Sequence, residues 1–191
     1  MPFTWSRPIA GGPRISRRHL VLYMLIFIVA PIITYTGGRW LDKSLGFPST
    51  PPFPWNLITG SIVFFTGLAI GIKATRQLYL EGLGLPWGEA SNEVRSKNLV
   101  NSGLYAYTRN PMILGYSALP GGMGLMFQSP SMTFLVPLIV VAVNVVIVKL
   151  REEPNLEDRF GEEYQKYREA TPFLIPHSLI GFLRCLIWDQ V

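Results

Sequence analysis

Four long apolar blocks dominate the pattern of hydrophobic and polar positions in this 191-residue chain. Each block has roughly the 17–25 residues that a helix needs to cross the hydrocarbon core of a bilayer. In a water-soluble domain the apolar positions would recur among polar ones at helix or strand periods. The pattern predicts an all-α, polytopic membrane protein that forms a single domain over residues 1–191. About four transmembrane helices are expected, at residues 19–38, 56–72, 111–128 and 132–148.

The segments between the blocks predict how the spans are connected. Residues 39–55 are rich in proline and indicate an external loop, and residues 73–110 form the longest loop. Ser129 and Pro130 leave almost no room between the last two spans, which predicts a tight antiparallel hairpin. Pro120 and the glycines after it interrupt the third block, so a ligand or a neighbouring helix could approach its backbone.

The distribution of Lys and Arg predicts the orientation. Of the 17 Lys and Arg residues, only Arg39 and Lys43 lie in the external loop, which leaves 15 on the opposite side. Basic residues collect on the cytoplasmic side of membrane proteins. We therefore expect cytoplasmic N- and C-termini, a cytoplasmic loop over 73–110 and a cytoplasmic cap over 151–191. The membrane would be the plasma or inner membrane of a prokaryote, or the endoplasmic reticulum of a eukaryote.

Composition agrees with lipid as the solvent, since apolar residues make up 49% of the chain and charged residues 15%. The net charge of +5 comes from residues that flank the blocks, so the bilayer and its anionic headgroups, and not nucleic acid, are the expected partner. One cysteine and two histidines make a metal site unexpected.

Three polar features are predicted to meet on the cytoplasmic face. In the first, Asn110 is a suitable N-cap and Pro111 a suitable first helical residue, and Arg109 precedes them. These residues need no role beyond helix capping and snorkelling. The same geometry would nevertheless place unpaired N–H groups and a positive helix end beside an arginine, which suits a carboxylate ligand.

The second feature is the acidic pair Glu152 and Glu153, followed by Pro154, which is expected to end the fourth span and start a new helix. They would serve as an ordinary cap and first turn there. At a membrane boundary, however, a carboxylate needs water, a cation or a ligand ammonium within reach.

The third feature is an apolar and aromatic stripe on the amphipathic interfacial helix predicted over about 154–170, formed by Leu156, Phe160, Tyr164 and Tyr167. Such stripes usually pack in a core or at an interface. Tyr105 and Tyr107 add two rings near the first feature. The three features together suit S-adenosylmethionine, which carries a carboxylate, an ammonium, a sulfonium and an adenine, although other amphipathic ligands need similar groups.

Two runs of sequence carry a family resemblance. Residues 99–112 read LVNSGLYAYTRNPM, and residues 151–176 read REEPNLEDRFGEEYQKYREATPFLIP. In this order the two runs resemble the two signatures of the isoprenylcysteine carboxyl methyltransferase and phospholipid methyltransferase superfamily. The resemblance covers roughly residues 56–176.

The resemblance implies a pocket for S-adenosylmethionine, with S-adenosylhomocysteine as the product, and a lipophilic acceptor that enters from the bilayer. Glu152 or Glu153 would hold the amino group of the donor, and Tyr164 and Tyr167 would supply aromatic faces. The residues of the first signature that would bind the donor are Leu99, Val100, Gly103, Tyr105, Arg109, Asn110 and Pro111. Asn110 stands where many members have histidine, and Ile113 where tyrosine is frequent, which leaves the acceptor chemistry open.

Three functions are compatible with these residues. The first is methylation of a prenylcysteine carboxylate or a related lipid. The second is N-methylation of an aminolipid, for which Glu153 or Tyr107 would be the nearest base beside Arg109. The third, of another class, is a transporter or an assembly protein that kept the fold without catalysis. Asn144 is the one strongly polar side chain deep in a span, and no inverted repeat is visible, which disfavours a transporter. The oligomeric state is not predicted.

Overall fold

The computed structural model describes residues 17–86 and 95–188, and within these ranges the chain is helical and contains no strand. A short 3₁₀ turn, Gly103–Ala106, precedes the third of the helices named here. Helix α1 covers residues 17–45 and consists of Arg17–Met24, a π-helical turn at Leu25–Val29, and Ala30–Leu45. The other helices are α2 (Trp55–Leu80), α3 (Pro111–Met126), α4 (Ser131–Phe160), α5 (Glu162–Ala170) and α6 (Leu179–Ile187).

The all-α prediction is confirmed, and helices α1 to α4 lie at the four predicted spans, with α3 ending at Met126, before the predicted end of its span at residue 128. Within the described residues, α2 and α4 are long and apolar enough to cross a membrane. The count of four spans and the cytoplasmic location of the termini remain predictions. Helix α2 also extends beyond its apolar block, past residue 72 to Leu80. This extension brings the end of α2 to the candidate site.

Small residues allow α2 and α3 to pack with their backbones in close contact. A Cβ atom on Gly67 would lie 2.6 Å from the Cβ of Ala118, and one on Gly122 would lie 2.6 Å from the backbone nitrogen of Phe64. Close backbone approach at small residues is the usual basis of helix pairing in membranes. The glycine-rich third block therefore receives a neighbouring helix along this face, and α3 continues through Pro120 without a break.

The predicted hairpin between α3 and α4 is confirmed. The amide of Ser129 donates to the carbonyl of Gly124 at 2.8 Å, which closes the turn. Asp42 of α1 accepts a hydrogen bond from the Ser129 hydroxyl and another from the amide of Ser131, the latter at 2.9 Å. A carboxylate from α1 thus caps the N-terminus of α4 and fixes the hairpin against the first helix.

The prediction that Pro154 ends the fourth span is wrong. A π-helical turn at Val148–Glu152 leads directly into Glu153–Phe160, so α4 runs through the proline. In a regular α-helix the proline ring would clash with the carbonyl four residues earlier, and a widened turn relieves that clash. The break occurs at Gly161, whose φ of 51° and ψ of −126° suit glycine, so the helix predicted over 154–170 is two helices.

The end of the predicted cytoplasmic cap contains an amphipathic helix, α6. Its Phe182 and Cys185 are buried in a core cluster with Ala74 of α2 and Leu104 of the 3₁₀ turn. The opposite face of α6 is exposed and apolar. The Ser178 hydroxyl caps the helix by accepting from the Gly181 amide at 3.1 Å. This part of the cap therefore packs against α2 and against the 3₁₀ turn of the first signature.

Candidate functional site

A partly open cavity of about 140 Å³ lies where the two signatures meet. The first signature contributes six of its predicted residues to the wall, Leu99, Val100, Tyr105, Arg109, Asn110 and Pro111. The second signature contributes Glu152, Tyr164 and Tyr167. The structure therefore brings together most of the residues that the sequence predicted to share one ligand.

A buried ion cluster joins the two signatures. Nη1 of Arg109 lies 2.5 Å from Oε1 of Glu153, and Nζ of Lys149 lies 2.8 Å from Oε2 of the same carboxylate. Phe173 lies beneath both cations, with its ring centre 5.5 Å from the Arg109 guanidinium carbon and 4.5 Å from Lys149 Nζ. Glu153 is therefore fully engaged by two cations, and Glu152 is the carboxylate that lines the cavity.

The chain around Arg109 is anchored by residues that follow α5. The amide of Arg109 donates to the carbonyl of Pro172 at 3.0 Å, and the Thr108 hydroxyl donates to the carbonyl of Leu174 at 2.8 Å. Asn110 occupies the N-cap position of α3, but its side chain makes no capping bond. Its Nδ2 instead donates to the carbonyl of Phe173 at 2.9 Å, which corrects the predicted capping role. These bonds fix the register between the two signatures.

Three tyrosines of the wall are held in place by their hydroxyl groups. Tyr167 donates to the carbonyl of Tyr105 at 2.8 Å, Tyr105 donates to the carbonyl of Ala74 at 3.4 Å, and Tyr164 accepts from Arg109 at 3.4 Å. Burial raises the pKa of Tyr105 and of Tyr167, and burial together with the Glu153 carboxylate raises the pKa of Tyr164 to about 12. The three phenols therefore stay protonated at physiological pH.

The family relationship is decided by sequence comparison. The sequence model of phospholipid methyltransferases matches residues 55–163, which is more than half of the chain. The chain belongs to the phospholipid methyltransferase family. Membership makes it a membrane methyltransferase that acts on a lipid-like substrate, and it confirms the resemblance carried by the two signatures. The curated proteins and the solved structures contain no match.

Gly103 does not line the cavity, but its backbone shapes the 3₁₀ turn beside it. Its φ is +53°, and a Cβ atom there would collide with the side chain of Gln77. That side chain accepts a hydrogen bond from the Leu104 amide at 3.0 Å and so ties the 3₁₀ turn to the extended end of α2. Gly103 allows the turn that presents Tyr105, which is a positioning role and differs from the predicted contact with the ligand.

Tyr107 and Glu153, the two candidate bases, do not line the cavity. The Tyr107 ring stacks on His177 with 5.4 Å between ring centres, and its edge meets Phe182 at 6.3 Å, both in the C-terminal cap. Glu153 is turned toward Arg109 and Lys149. This geometry gives neither side chain a position from which it could take a proton from a ligand in the cavity.

The cavity also contains residues that the sequence did not indicate. Leu78 of α2 reaches the wall because that helix extends beyond its apolar block. Asn144 of α4 and Tyr116 of α3 also line the cavity. An isolated amide in an otherwise apolar span was the one available signal for Asn144, but without the fold nothing showed that it faces the same cavity as Arg109.

Proposed function

We propose that this chain is an S-adenosylmethionine-dependent methyltransferase that binds the donor in the cavity between the two signatures. The observation that carries the proposal is the state of Arg109. Its Nη1 is paired with Glu153, while its buried Nε has no hydrogen-bond partner among the described residues. A buried N–H donor without a partner is costly, and a ligand oxygen would satisfy it.

The groups around Arg109 fit the parts of the donor. The donor carboxylate suits Arg109 Nε and the N-terminus of α3, a helix of 16 residues that begins at Pro111. The donor ammonium suits Glu152, the carboxylate of the wall. The rings of Tyr164 and Tyr167 suit the sulfonium through cation–π attraction, and Leu99 with Val100 offers an apolar surface to the adenine.

The chain contributes mainly alignment and exclusion of water. When bound, S-adenosylmethionine supplies an electrophilic methyl group and departs as S-adenosylhomocysteine. The anchored 105–110 segment and the pair of Arg109 with Glu153 hold the walls rigid, so that an acceptor atom can be held in line with the methyl group. The protonated tyrosines cannot serve as bases, because burial favours their neutral form.

The acceptor is a lipid whose polar end enters the cavity while its chains remain in the bilayer. A prenylcysteine carboxylate is one candidate, because it is already ionised and needs no base. An aminolipid is the candidate that one observation favours, which is that Glu152 lines the cavity and could bind an ammonium and take its proton. We infer a multi-pass arrangement with cytoplasmic termini, which would place the mouth of the cavity at the inner leaflet.

Titration of the purified full-length protein with S-adenosylhomocysteine tests the donor site, and transfer of a radiolabelled methyl group to lipids tests the activity. Binding in the micromolar range is expected for wild type, with a loss in Arg109→Gln. Arg168→Gln is the matched control, because Arg168 of α5 pairs with Glu157 of α4 on a partly exposed surface. If the folded wild-type protein fails to bind S-adenosylhomocysteine, the proposal is refuted.

A further inference from the structure

Asn144 is not assigned to the proposed donor site, yet a polar side chain in an apolar span costs free energy. It lies in the middle of an apolar helix, where polar side chains are rare and usually functional. Its neighbours Val143 and Val146 are about half exposed on the outer face of α4, whereas Asn144 is partly buried and lines the cavity. The amide is therefore directed toward the cavity and away from the lipid side of the helix.

The side-chain amide of Asn144 makes one hydrogen bond within α4, which leaves other hydrogen-bonding groups of that amide to consider. Nδ2 donates to the carbonyl of Val140, four residues earlier on the same helix, at 2.8 Å. An asparagine amide has a second N–H and an accepting oxygen. A residue that served to join helices would bond across to a neighbour. The bond within α4 orients the side chain and leaves a donor and an acceptor for a ligand.

The position of Asn144 along α4 relates it to the donor site. Asn144, Val148 and Glu152 line the cavity at intervals of four residues, so they form one stripe along the helix. At 1.5 Å per residue, Asn144 lies roughly 12 Å deeper than Glu152. A Cβ atom on Gly124 of α3 would collide with Thr133 of α4, so these two residues face each other. The two helices are antiparallel, and the same number of residues separates Gly124 from Ile113 and Thr133 from Asn144. Ile113 and Asn144 therefore lie at about the same level. Ile113 and Val148, which line the cavity beside Asn144, are both apolar.

Tyr116 gives this end of the cavity a fixed wall. Its hydroxyl donates to the sulfur of Met112, one turn earlier on α3, at 3.8 Å. Arg109 lies four residues before Ile113 and Glu152 lies eight residues after Asn144, so the charged residues of the wall are about one to two helical turns away. An uncharged amide in apolar surroundings suits an uncharged hydrogen-bonding group, because a charged group would lose its hydration without gaining a counter-charge.

We infer that Asn144 hydrogen-bonds the ester carbonyl of a glycerolipid acceptor and thereby selects it over lipids that have only hydrocarbon at this depth. The inference rests on the proposed function, since it takes the reacting headgroup to lie beside Glu152. The phosphate and glycerol of an extended headgroup can span the interval to Asn144. In a prenylcysteine the thioether lies a few bonds from the carboxylate, and only hydrocarbon continues from there.

The test compares two acceptors that differ only at the carbonyl, dioleoyl phosphatidylethanolamine and its dialkyl ether analogue. Methyl transfer is measured with the full-length protein in nanodiscs, beside the affinity for S-adenosylhomocysteine. Wild type should use the diester with a kcat/KM roughly tenfold higher than that of the diether, as expected for one hydrogen bond. Asn144→Leu should raise KM for the diester by about tenfold and abolish the preference, with unchanged affinity for S-adenosylhomocysteine. Val143→Leu, on the exposed face of α4, should behave as wild type.

Each contrary outcome overturns the inference in an identifiable way. Equal use of the two lipids by wild type, or a preference that persists in Asn144→Leu, removes the carbonyl contact. Loss of S-adenosylhomocysteine binding in Asn144→Leu alone would mean that Asn144 serves the donor site or the fold. Wild type that binds S-adenosylhomocysteine but methylates neither lipid excludes a glycerolipid acceptor and leaves the proposed function intact. If wild type binds no S-adenosylhomocysteine, the proposed function fails, and this inference fails with it.

Discussion

Arg109 and Glu153 form an ion pair of 2.5 Å in which each side chain is only 9% exposed. One residue precedes α3 and the other lies in the C-terminal half of α4, so the pair joins the two signatures directly. Removing two charges from water is costly, and the pair is maintained because Lys149, Tyr164 and the Phe173 ring add further favourable contacts. The packing of the two signatures and the proposed donor site therefore depend on the same guanidinium.

We expect Arg109→Gln to destabilise the protein by about 3 kcal/mol, the lower end of the range for breaking a buried pair, because Glu153 keeps Lys149 as a partner. Chemical unfolding in detergent, followed by helical circular dichroism, gives this value. Arg168→Gln removes a pair with Glu157 whose side chains are 40% and 33% exposed, and it should leave stability almost unchanged. Equal losses in the two variants would show that burial does not distinguish the pairs.

The adjacent acids should behave differently. Glu152→Gln should weaken S-adenosylhomocysteine binding by roughly tenfold while the Tm stays near that of wild type, because Glu152 lines the cavity. Glu153→Gln should lower the Tm, because it leaves Arg109 and Lys149 without their shared carboxylate. Calorimetric titration and thermal unfolding of both variants separate the two roles. The reverse pattern would contradict the assignment of Glu152 to the ligand.

The sequence predicted the meeting of the two signatures, because helix caps, acidic pairs and aromatic stripes have local spacing rules. It could not predict which of Glu152 and Glu153 faces the cavity. The orientation of each depends on the π-helical turn at Val148–Glu152, which a regular helical repeat does not anticipate. For the same reason Pro154 was expected to break a helix that in fact continues.

The apolar blocks did not predict the full length of the helices. The second block ends near residue 72, but α2 continues through Lys73 and Gln77 to Leu80, because hydropathy reports the surrounding solvent and not the backbone. Tyr107 lies close to Arg109 in sequence, and this closeness predicts that it belongs to the site. The 3₁₀ turn directs it to the C-terminal cap, a change of direction that neighbouring sequence does not show.

Gly103→Ala should cost about 1–3 kcal/mol and weaken S-adenosylhomocysteine binding, because alanine at a φ of +53° is strained and its Cβ would displace the side chain of Gln77. Loss of that side chain also removes the acceptor of the Leu104 amide. Thermal unfolding and calorimetric titration measure the two effects. Gly37→Ala is the matched control, since nothing lies within 4 Å of its added Cβ, and it should cause no loss. A stable Gly103→Ala protein with normal binding would remove the positioning role.

Alkaline pH should weaken the folded state partly through Tyr164. Its pKa is raised from 10.0 to about 12 in the folded protein, first by burial and then by the neighbouring Glu153 carboxylate. Below pH 10 the phenol is protonated in both the folded and the unfolded chain, and its full contribution to stability is present. Between pH 10 and 12 the unfolded chain loses this proton while the folded chain retains it, so the free energy of unfolding falls.

Tyr164→Phe should therefore reduce the slope of stability against pH in this window by up to about one proton per molecule. Chemical unfolding at a series of pH values measures the slope for wild type and for the variant. Methyl transfer should show no increase as pH approaches 10, because Tyr105, Tyr164 and Tyr167 all hold their protons there and none acts as the base. Identical slopes in the two proteins would mean that Tyr164 titrates as it does in the unfolded chain. The buried contact of its hydroxyl with Arg109 and Glu153 would then be absent in solution.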